Sequence, residues 1–350
     1  MALFEHPDYH NHENVSYYHD AKTGLRAIIA VHNTTLGPSL GGCRMFPYAN
    51  SDEALTDVLR LSSGMSYKAA MAGLPQGGGK AVIIGNPREH KSAALMQAMG
   101  RFVNSFNGSY IIAEDSGISV SDVLQMQEAT TFTGGCKASY SFDGTTPDGN
   151  PAPATAYGVF CGIKAAVDYV YGTDLLGKKV AIQGVGHVGL RLAKHLHQAG
   201  AELFVSDIYD DNLLIAEAEF GATIVDNNSI HSLPVDVYAP CALGGAINKD
   251  TIDDIRARVV AGAANNQLAT DDMGTRLLQN NIAYVPDYVI NAGGIIDIYH
   301  QTQSDSSNAL LKQQLENIGN TVMHLLTEAE AQNKATVTIA NAMAEEVMNK

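Results

Sequence analysis

Apolar and polar positions along this 350-residue chain follow two rhythms that keep replacing one another. Short apolar runs bounded by turn-forming residues predict buried strands. They stand at 23–34 (TGLRAIIAVHNT), 81–87, 110–115 (YIIAED), 178–183 (KKVAIQ), 202–207 (ELFVSD), 235–239, 259–263 and 283–286. Between them, apolar residues three and four apart predict helices over 52–72, 90–106, 119–129, 155–171 and up to about 198, with two long ones at 310–333 and 337–349. Strands alternating with helices argue an α/β layered fold. LGPSLGGCRM, after the first strand, reads as a glycine- and proline-rich loop. The densest cluster of turn formers, FDGTTPDGNPAP at 142–153, marks a linker between two domains.

Composition narrows the function. Hydrophobic content is 45% and charged content 17%, which is ordinary for globular cores. A formal net charge of −15 repels a phosphate backbone, so nucleic acid is set aside as a partner. No segment approaches the roughly 18 apolar residues of a membrane helix. The start, MALFEHPDYHNHEN, lacks the basic and apolar regions of a signal peptide, so a cytoplasmic protein is expected. Four scattered cysteines form no CxxC pair, and His10-x-His12 and His195-x-His197 do not share a helix face; no metal is expected.

Two stretches carry candidate chemistry. KAAMAGLPQGGGK sets Lys68 and Lys80 twelve positions apart with no charge between them. The plain reading is a flexible loop with two solvated lysines. The sharper one ends a helix at Lys68 and places Lys80 after a glycine loop at the mouth of a strand. There, burial and like charge would depress one lysine's pKa and make it a usable base. Asp115 closes the strand at 110–115 and adds a carboxylate. In the second stretch, GVGHVG lies between a strand and a helix. Gly184 suits the tight turn, Gly186 the approach of a pyrophosphate and Gly189 close helix–strand packing, with Val185, His187 and Val188 between them. Asp207, followed by Ile208, closes the next strand, where it would accept from both ribose hydroxyls and repel a 2′-phosphate. NAD is therefore expected over NADP. A dinucleotide fold holding another nucleotide, or none, is the alternative.

Seven blocks in order resemble one family: KAAMAGLPQGGGKAVI, IIAEDSGISVSDV, PAPATAYGVF, IQGVGHVG, YAPCALGGAIN, GAANNQL and PDYVINAGGI. They look like the amino-acid dehydrogenases, closest to the leucine, valine and phenylalanine branch. The likeness is less distinct after Ile296, and Gly149-Asn150-Pro151-Ala152 departs from many relatives. The resemblance implies an N-terminal α/β substrate-binding and oligomerisation domain (1–135, completed by the last helix, about 330–350). A Rossmann-type NAD-binding domain (145–329) would follow, with a cleft between the two. It implies that Lys68 binds the substrate carboxylate, that Lys80 is the catalytic base and that Asp115 exchanges protons with the amino group. Thr155 would hold the nicotinamide carboxamide, while Ala239, Cys241 and Asn265 would line the nicotinamide and substrate cleft. Leu40, Met65, Ala113 and Val289, with the backbone of Gly41, would form an apolar side-chain pocket.

The implied reaction is reversible NAD-dependent oxidative deamination of leucine, isoleucine or valine to the 2-oxo acid and ammonia. Phenylalanine dehydrogenase is the alternative within the branch. Glutamate dehydrogenase would need a partner for a second carboxylate, and a non-catalytic NAD-binding protein is a rival of another class. The resemblance also implies a homo-oligomer, an octamer or a dimer.

Overall fold

The computed structural model describes residues 3–136 and 150–349; most of the expected linker, and Gly149, lie outside them. The chain divides into two compact units. One comprises Met1–Ser139, Gln301–Ser304 and Ala344–Lys350; the other comprises Tyr140–His300 and Asp305–Met343.

The first unit contains β1 (Asn14–Asp20), β2 (Leu25–Asn33), β3 (Ser39–Phe46), α1 (Ser51–Met71), β4 (Gly77–Ile84), α2 (Ala93–Asn104), β5 (Tyr110–Glu114) and α3 (Val120–Met126). Its five-stranded sheet has the order β1-β2-β4-β3-β5, antiparallel across β1, β2 and β4 and parallel across β4, β3 and β5. Alternation along the strands sends Ile29, Met45, Ala81, Ile83 and Tyr110 into one core with α2 and α3. Ile28, Ala30 and Val82 pack on the other face with Leu55, Val58 and Leu59 of α1. Local signals set the helix starts: Asn50 caps α1 by accepting from the Glu53 N–H, and Ser119 and Asp122 form a capping box on α3.

Two loop expectations are corrected here. SLGGCRM is strand β3, and Gly77, Gly78 and Gly79 are the first residues of β4, all buried. These glycines serve close packing of the protein on itself. A Cβ on Gly78 would lie 2.0 Å from the Ser66 amide nitrogen of α1, and one on Gly79 would lie 2.8 Å from the Tyr110 ring. The turn before them falls instead at Gly73, with φ +64°. β1 had no forecast; Val15 and Tyr18 are only partly buried and Tyr17 is exposed, so no core-facing stripe betrays it.

The second unit contains α4 (Ala152–Tyr171), β6 (Lys179–Gln183), α5 (His187–Gln198), β7 (Glu202–Ser206), α6 (Asp210–Phe220), β8 (Thr223–Ile224), β9 (Val237–Pro240), β10 (Val259–Val260), α7 (Asp272–Gln279), β11 (Ala283–Tyr284), α8 (Asp287–Ile290), α9 (Gly293–Thr302), α10 (Asn308–Gln332) and α11 (Thr336–Met348). Its six strands are all parallel in the order β11-β10-β9-β6-β7-β8. This is a doubly wound Rossmann sheet, and the strand order reverses between β6 and β9. α4 packs tightly on α10: a Cβ on its Gly158 would come within 2.6 Å of Ile318. α9 and α11 straddle the division, with Gln301 and Thr302, and Ala344 onward, counted in the first unit.

Two glycine substitutions separate packing from propensity. Gly78→Ala should cost about 3 kcal/mol or abolish folding, because its Cβ meets helix backbone that cannot yield. Gly64→Ala, on the exposed side of α1 with nothing within 4 Å of its Cβ, should gain about 0.5–1 kcal/mol. Denaturant unfolding of the two variants measures both.

Candidate active site

In the first unit the sheet face covered by α1 gathers the chemistry. By strand alternation Leu40, Gly42 and Arg44 of β3, Lys80 of β4, and Ala113 and Asp115 at the end of β5 project to this side. Lys80 is 6% exposed, and its Nζ lies 2.5 Å from Asp115 Oδ2. Arg44 Nε approaches the same oxygen at 3.5 Å, while its Nη1 pairs with Asp57 Oδ2 at 3.0 Å. Burial pushes the Asp115 carboxyl up, but the Lys80 ammonium and the Arg44 guanidinium outweigh it and hold the group at about 2. Asp115 is therefore ionised in the resting protein. Lys68 sits in the last turn of α1, half-buried, and Met65 is half-buried three residues before it. Leu40 and Ala113 are each 1% exposed, and Gly41 accepts a hydrogen bond at its carbonyl from the buried Tyr110 hydroxyl at 2.8 Å.

Gly42 was not anticipated. A Cβ there would lie 2.7 Å from that of Asp115, so its missing side chain gives the carboxylate its place. Arg44 was missed as well. Both lie in GGCRM, which was taken for loop, and strand alternation through it would have found them.

In the second unit the glycine motif lies at the carboxyl end of β6, beside the reversal in strand order. Gly184 has φ +96°, and a Cβ on it would strike Ala242 at 2.7 Å; one on Gly189 would lie 2.0 Å from the Gly184 carbonyl oxygen. Gly186, by contrast, faces open space, with nothing within 4 Å of a Cβ. It begins α5, whose first turn (His187, Val188, Gly189) has no side-chain cap. Asp207 follows β7, half-buried; its Oδ2 accepts from the Val185 N–H at 2.7 Å and its Oδ1 from the Tyr209 N–H at 3.0 Å. A carboxylate has acceptor capacity for about four hydrogen bonds, so two positions remain. Ile208 is 76% exposed. An open glycine, an uncapped helix start and a carboxylate on the next strand fit a dinucleotide.

Around the same end, Ala239 is fully buried in β9. Cys241 follows it; burial pushes its thiol up to about 12, so it is a poor nucleophile. Thr155, in the first turn of α4, donates to the Pro151 carbonyl at 2.9 Å, and its hydroxyl lies 3.0 Å from where a Cβ on Gly294 would stand. Asn265 is exposed, and its Oδ1 accepts from Asn291 Nδ2 at 2.8 Å. Val289 is 2% exposed in α8. Asn291 and Gln267 were missed. Gln267 is completely buried and donates from Nε2 to the Gly262 carbonyl at 2.7 Å and the Ala264 carbonyl at 3.1 Å, bracing the loop that presents Asn265. Both stand inside quoted blocks, but only the folded loop reveals the bracing.

Two family models match, and together they span nearly the whole chain. "Glu/Leu/Phe/Val dehydrogenase, dimerisation domain" covers residues 12–132, and "Glutamate/Leucine/Phenylalanine/Valine dehydrogenase" covers 150–210 and 204–349. The chain belongs to the Glu/Leu/Phe/Val dehydrogenase family. It is an amino-acid dehydrogenase, an oxidoreductase acting on CH–NH2, of a family that is generally NAD(P)-dependent. It is 45% identical to leucine dehydrogenase of Bacillus cereus over 347 residues, covering 99% of this chain and 93% of the relative. It is 44% identical to L-tryptophan dehydrogenase of Nostoc punctiforme over 348 residues, covering 99% and 96%. The crystal structure of L-tryptophan dehydrogenase from that organism superposes with a TM-score of 0.85 at 42% identity, covering 97% of this chain and 96% of the other.

Within this family member, Gly184 packs against the protein itself whereas Gly186 faces open space, so the two glycines answer different questions. Gly186→Ala should change stability by less than about 1 kcal/mol, since the added methyl meets nothing. It should weaken NADH binding about tenfold or more in a fluorescence titration. Unchanged affinity would remove Gly186 from the dinucleotide site.

Proposed function

We propose that the protein is an NAD-dependent dehydrogenase for branched-chain L-amino acids, chiefly leucine, isoleucine and valine, and that Lys80, Asp115 and Lys68 carry the chemistry. The observation behind this reading is the buried Lys80–Asp115 ion pair, on the same sheet face as Leu40 and Ala113. When bound, the nicotinamide supplies the hydride acceptor. Lys68 pairs with the substrate carboxylate and orients Cα. Asp115 accepts a proton from the substrate's amino group, preparing Cα for loss of hydride. Lys80 removes a proton from the water that adds to the resulting substrate imine, and collapse of that adduct releases ammonia and the 2-oxo acid. Thr155 and Asn265 orient the reacting end, with Cys241 and the backbone at Ala239 beside them.

Asp207 underlies the choice of NAD. Its two remaining acceptor positions suit ribose hydroxyls, and the residues that follow it, Ile208 to Asp211, include no basic side chain to hold a 2′-phosphate. Leu40, Met65 and Ala113 are apolar, so a substrate carboxylate buried against them would lack a partner at a cost of several kcal/mol. That disfavours glutamate. Leucine and tryptophan dehydrogenases are almost equally similar to this chain, so overall identity does not select the side chain. The bulk of Leu40 favours aliphatic over aromatic substrates, with phenylalanine the runner-up. A homo-oligomer, built through residues 12–132, accords with the matched dimerisation domain.

Lys80→Ala should lower kcat by more than about 100-fold with cofactor affinity near wild type. Lys68→Ala should instead act mainly through a raised KM for the amino acid. Near-normal turnover in Lys80→Ala would exclude it as the base.

Absorbance of reduced nicotinamide, followed with an amino-acid panel and each cofactor, tests specificity. Leucine with NAD should give the highest kcat/KM. Equal rates with NADP would show that Asp207 does not face the ribose. Preference for phenylalanine or tryptophan would overturn the pocket assignment alone.

A further inference from the structure

Asp115 poses an electrostatic problem for the reaction above. In the resting protein it has two cations against it, Lys80 at 2.5 Å and Arg44 at 3.5 Å. A lysine that acts as a base must pass through a neutral form. At that stage a partly buried carboxylate would lose its nearer counter-charge, and the freed proton would tend to settle on it. Arg44 cannot lose its own proton, because a guanidinium stays charged throughout the accessible pH range.

We propose that Arg44 is a positioning residue of the reaction: a fixed cation, anchored by Asp57, that keeps Asp115 ionised, and so ready to take the amino proton, once Lys80 has become neutral. This rests on the assignment of Lys80 and Asp115 made above. The anchoring is geometric. Arg44 Nη1 lies 3.0 and 3.2 Å from the two Asp57 oxygens on α1, and the Tyr48 hydroxyl donates to Asp57 Oδ2 at 2.5 Å. Asp57 is thus held from two sides and fixes the guanidinium, whose Nε is left directed at Asp115. Burial works against the guanidinium's charge, but Asp115 and Asp57 outweigh it and raise its pKa.

The groups around Asp115 come from several packed elements. Lys80 comes from β4 and Arg44 from β3 on the same sheet face, with Tyr48 and Asp57 behind Arg44 and Lys68 in the last turn of α1; Cys43 of β3 and Tyr110 of β5 lie on the opposite face of the sheet, and the Lys91–Asp122 pair lies farther out. Burial pushes the Cys43 thiol and the Tyr110 hydroxyl up, so both are neutral. Burial, reinforced by Asp57, does the same to Tyr48. At neutral pH, Arg44 is therefore the one fixed cation touching Asp115 among the described residues. Arg44 lines a cavity of about 460 Å³, with Tyr48, Asp57 and Ser116 also in its walls, so the guanidinium is reachable from solvent.

The test is the pH profile of oxidative deamination in the full-length protein, with Arg44→Gln and Asp57→Asn each compared with wild type. Removing a cation makes loss of a proton from the Lys80–Asp115 pair less favourable, so the ascending limb of Arg44→Gln should move to higher pH. Removing the anion beside Arg44 should move the limb of Asp57→Asn the opposite way. Opposite displacements are a charge effect; a merely structural role would lower kcat in both variants and leave the limb where it is. Added guanidinium, entering through the cavity, should return the limb of Arg44→Ala toward wild type. If Arg44 variants fail to fold, the acidward displacement in Asp57→Asn decides alone. Limbs that superimpose on wild type would overturn the proposal. Should Lys80→Ala be inactive while those limbs superimpose, only Arg44 loses its role; should Lys80→Ala turn over normally, the assignment beneath it fails first.

Discussion

An ammonium group buried in the middle of a β-sheet has to be met by a carboxylate, or it costs several kcal/mol and gives up its charge. Lys80 sets that constraint on the first unit. It stands on β4, opposite Ala30 of β2, with β3 on its other side, and Asp115 reaches it from the end of β5. The carboxylate fits only because Gly42 has no side chain. The surrounding glycines follow from the same crowding: Gly78 admits the backbone of α1 at Ser66, and Gly79 admits the Tyr110 ring, whose hydroxyl then satisfies the Gly41 carbonyl. A patch with few side chains is thus rigid, because backbone fills the space where side chains would be.

The second unit meets a different demand with different means. Its parallel sheet reverses strand order between β6 and β9, and the loops leaving those strands diverge there. Gly184 and Gly189 let the first loop fold back on itself, while Gly186 leaves open space before α5. Asp207 is turned into place by its bond to the Val185 amide, so the acidic group and the glycine loop are fixed with respect to each other. Gln267 and Asn291 knit the loop that bears Asn265 through carbonyl bonds from buried amides. In both units, side chains that hold backbone in place support those assigned to substrate or cofactor.

Specificity within the family comes down to few contacts. Relatives named for leucine and for tryptophan are 45% and 44% identical to this chain, so the overall sequence hardly distinguishes them. One methylene in an apolar pocket is worth only about 1–3 kcal/mol, so a handful of side chains in such a pocket is enough to redirect preference without disturbing the scaffold.

By itself the sequence determined the α/β class, most helices and central strands, and the glycine turn at Gly184–Gly189 between a strand and a helix, and it singled out Lys68, Lys80 and Asp115 as candidates. Those features are local: periodicity, caps and motif spacing are properties of neighbouring residues. It misjudged SLGGCRM and Gly77–Gly79 as loops, because glycine's backbone freedom signals a turn when nothing shows what lies across the strand. Only the tertiary structure disclosed that those glycines are close-packed against Ser66 and Tyr110. It alone brought Arg44 and Asp57, thirteen residues apart, into one chain of ion pairs that reaches Asp115, and placed Gln267 beneath the Asn265 loop. The physical reason is that a pairing of buried charges, or of an amide with a carbonyl, depends on which strands and helices become neighbours, and no stretch of chain read in order contains that information.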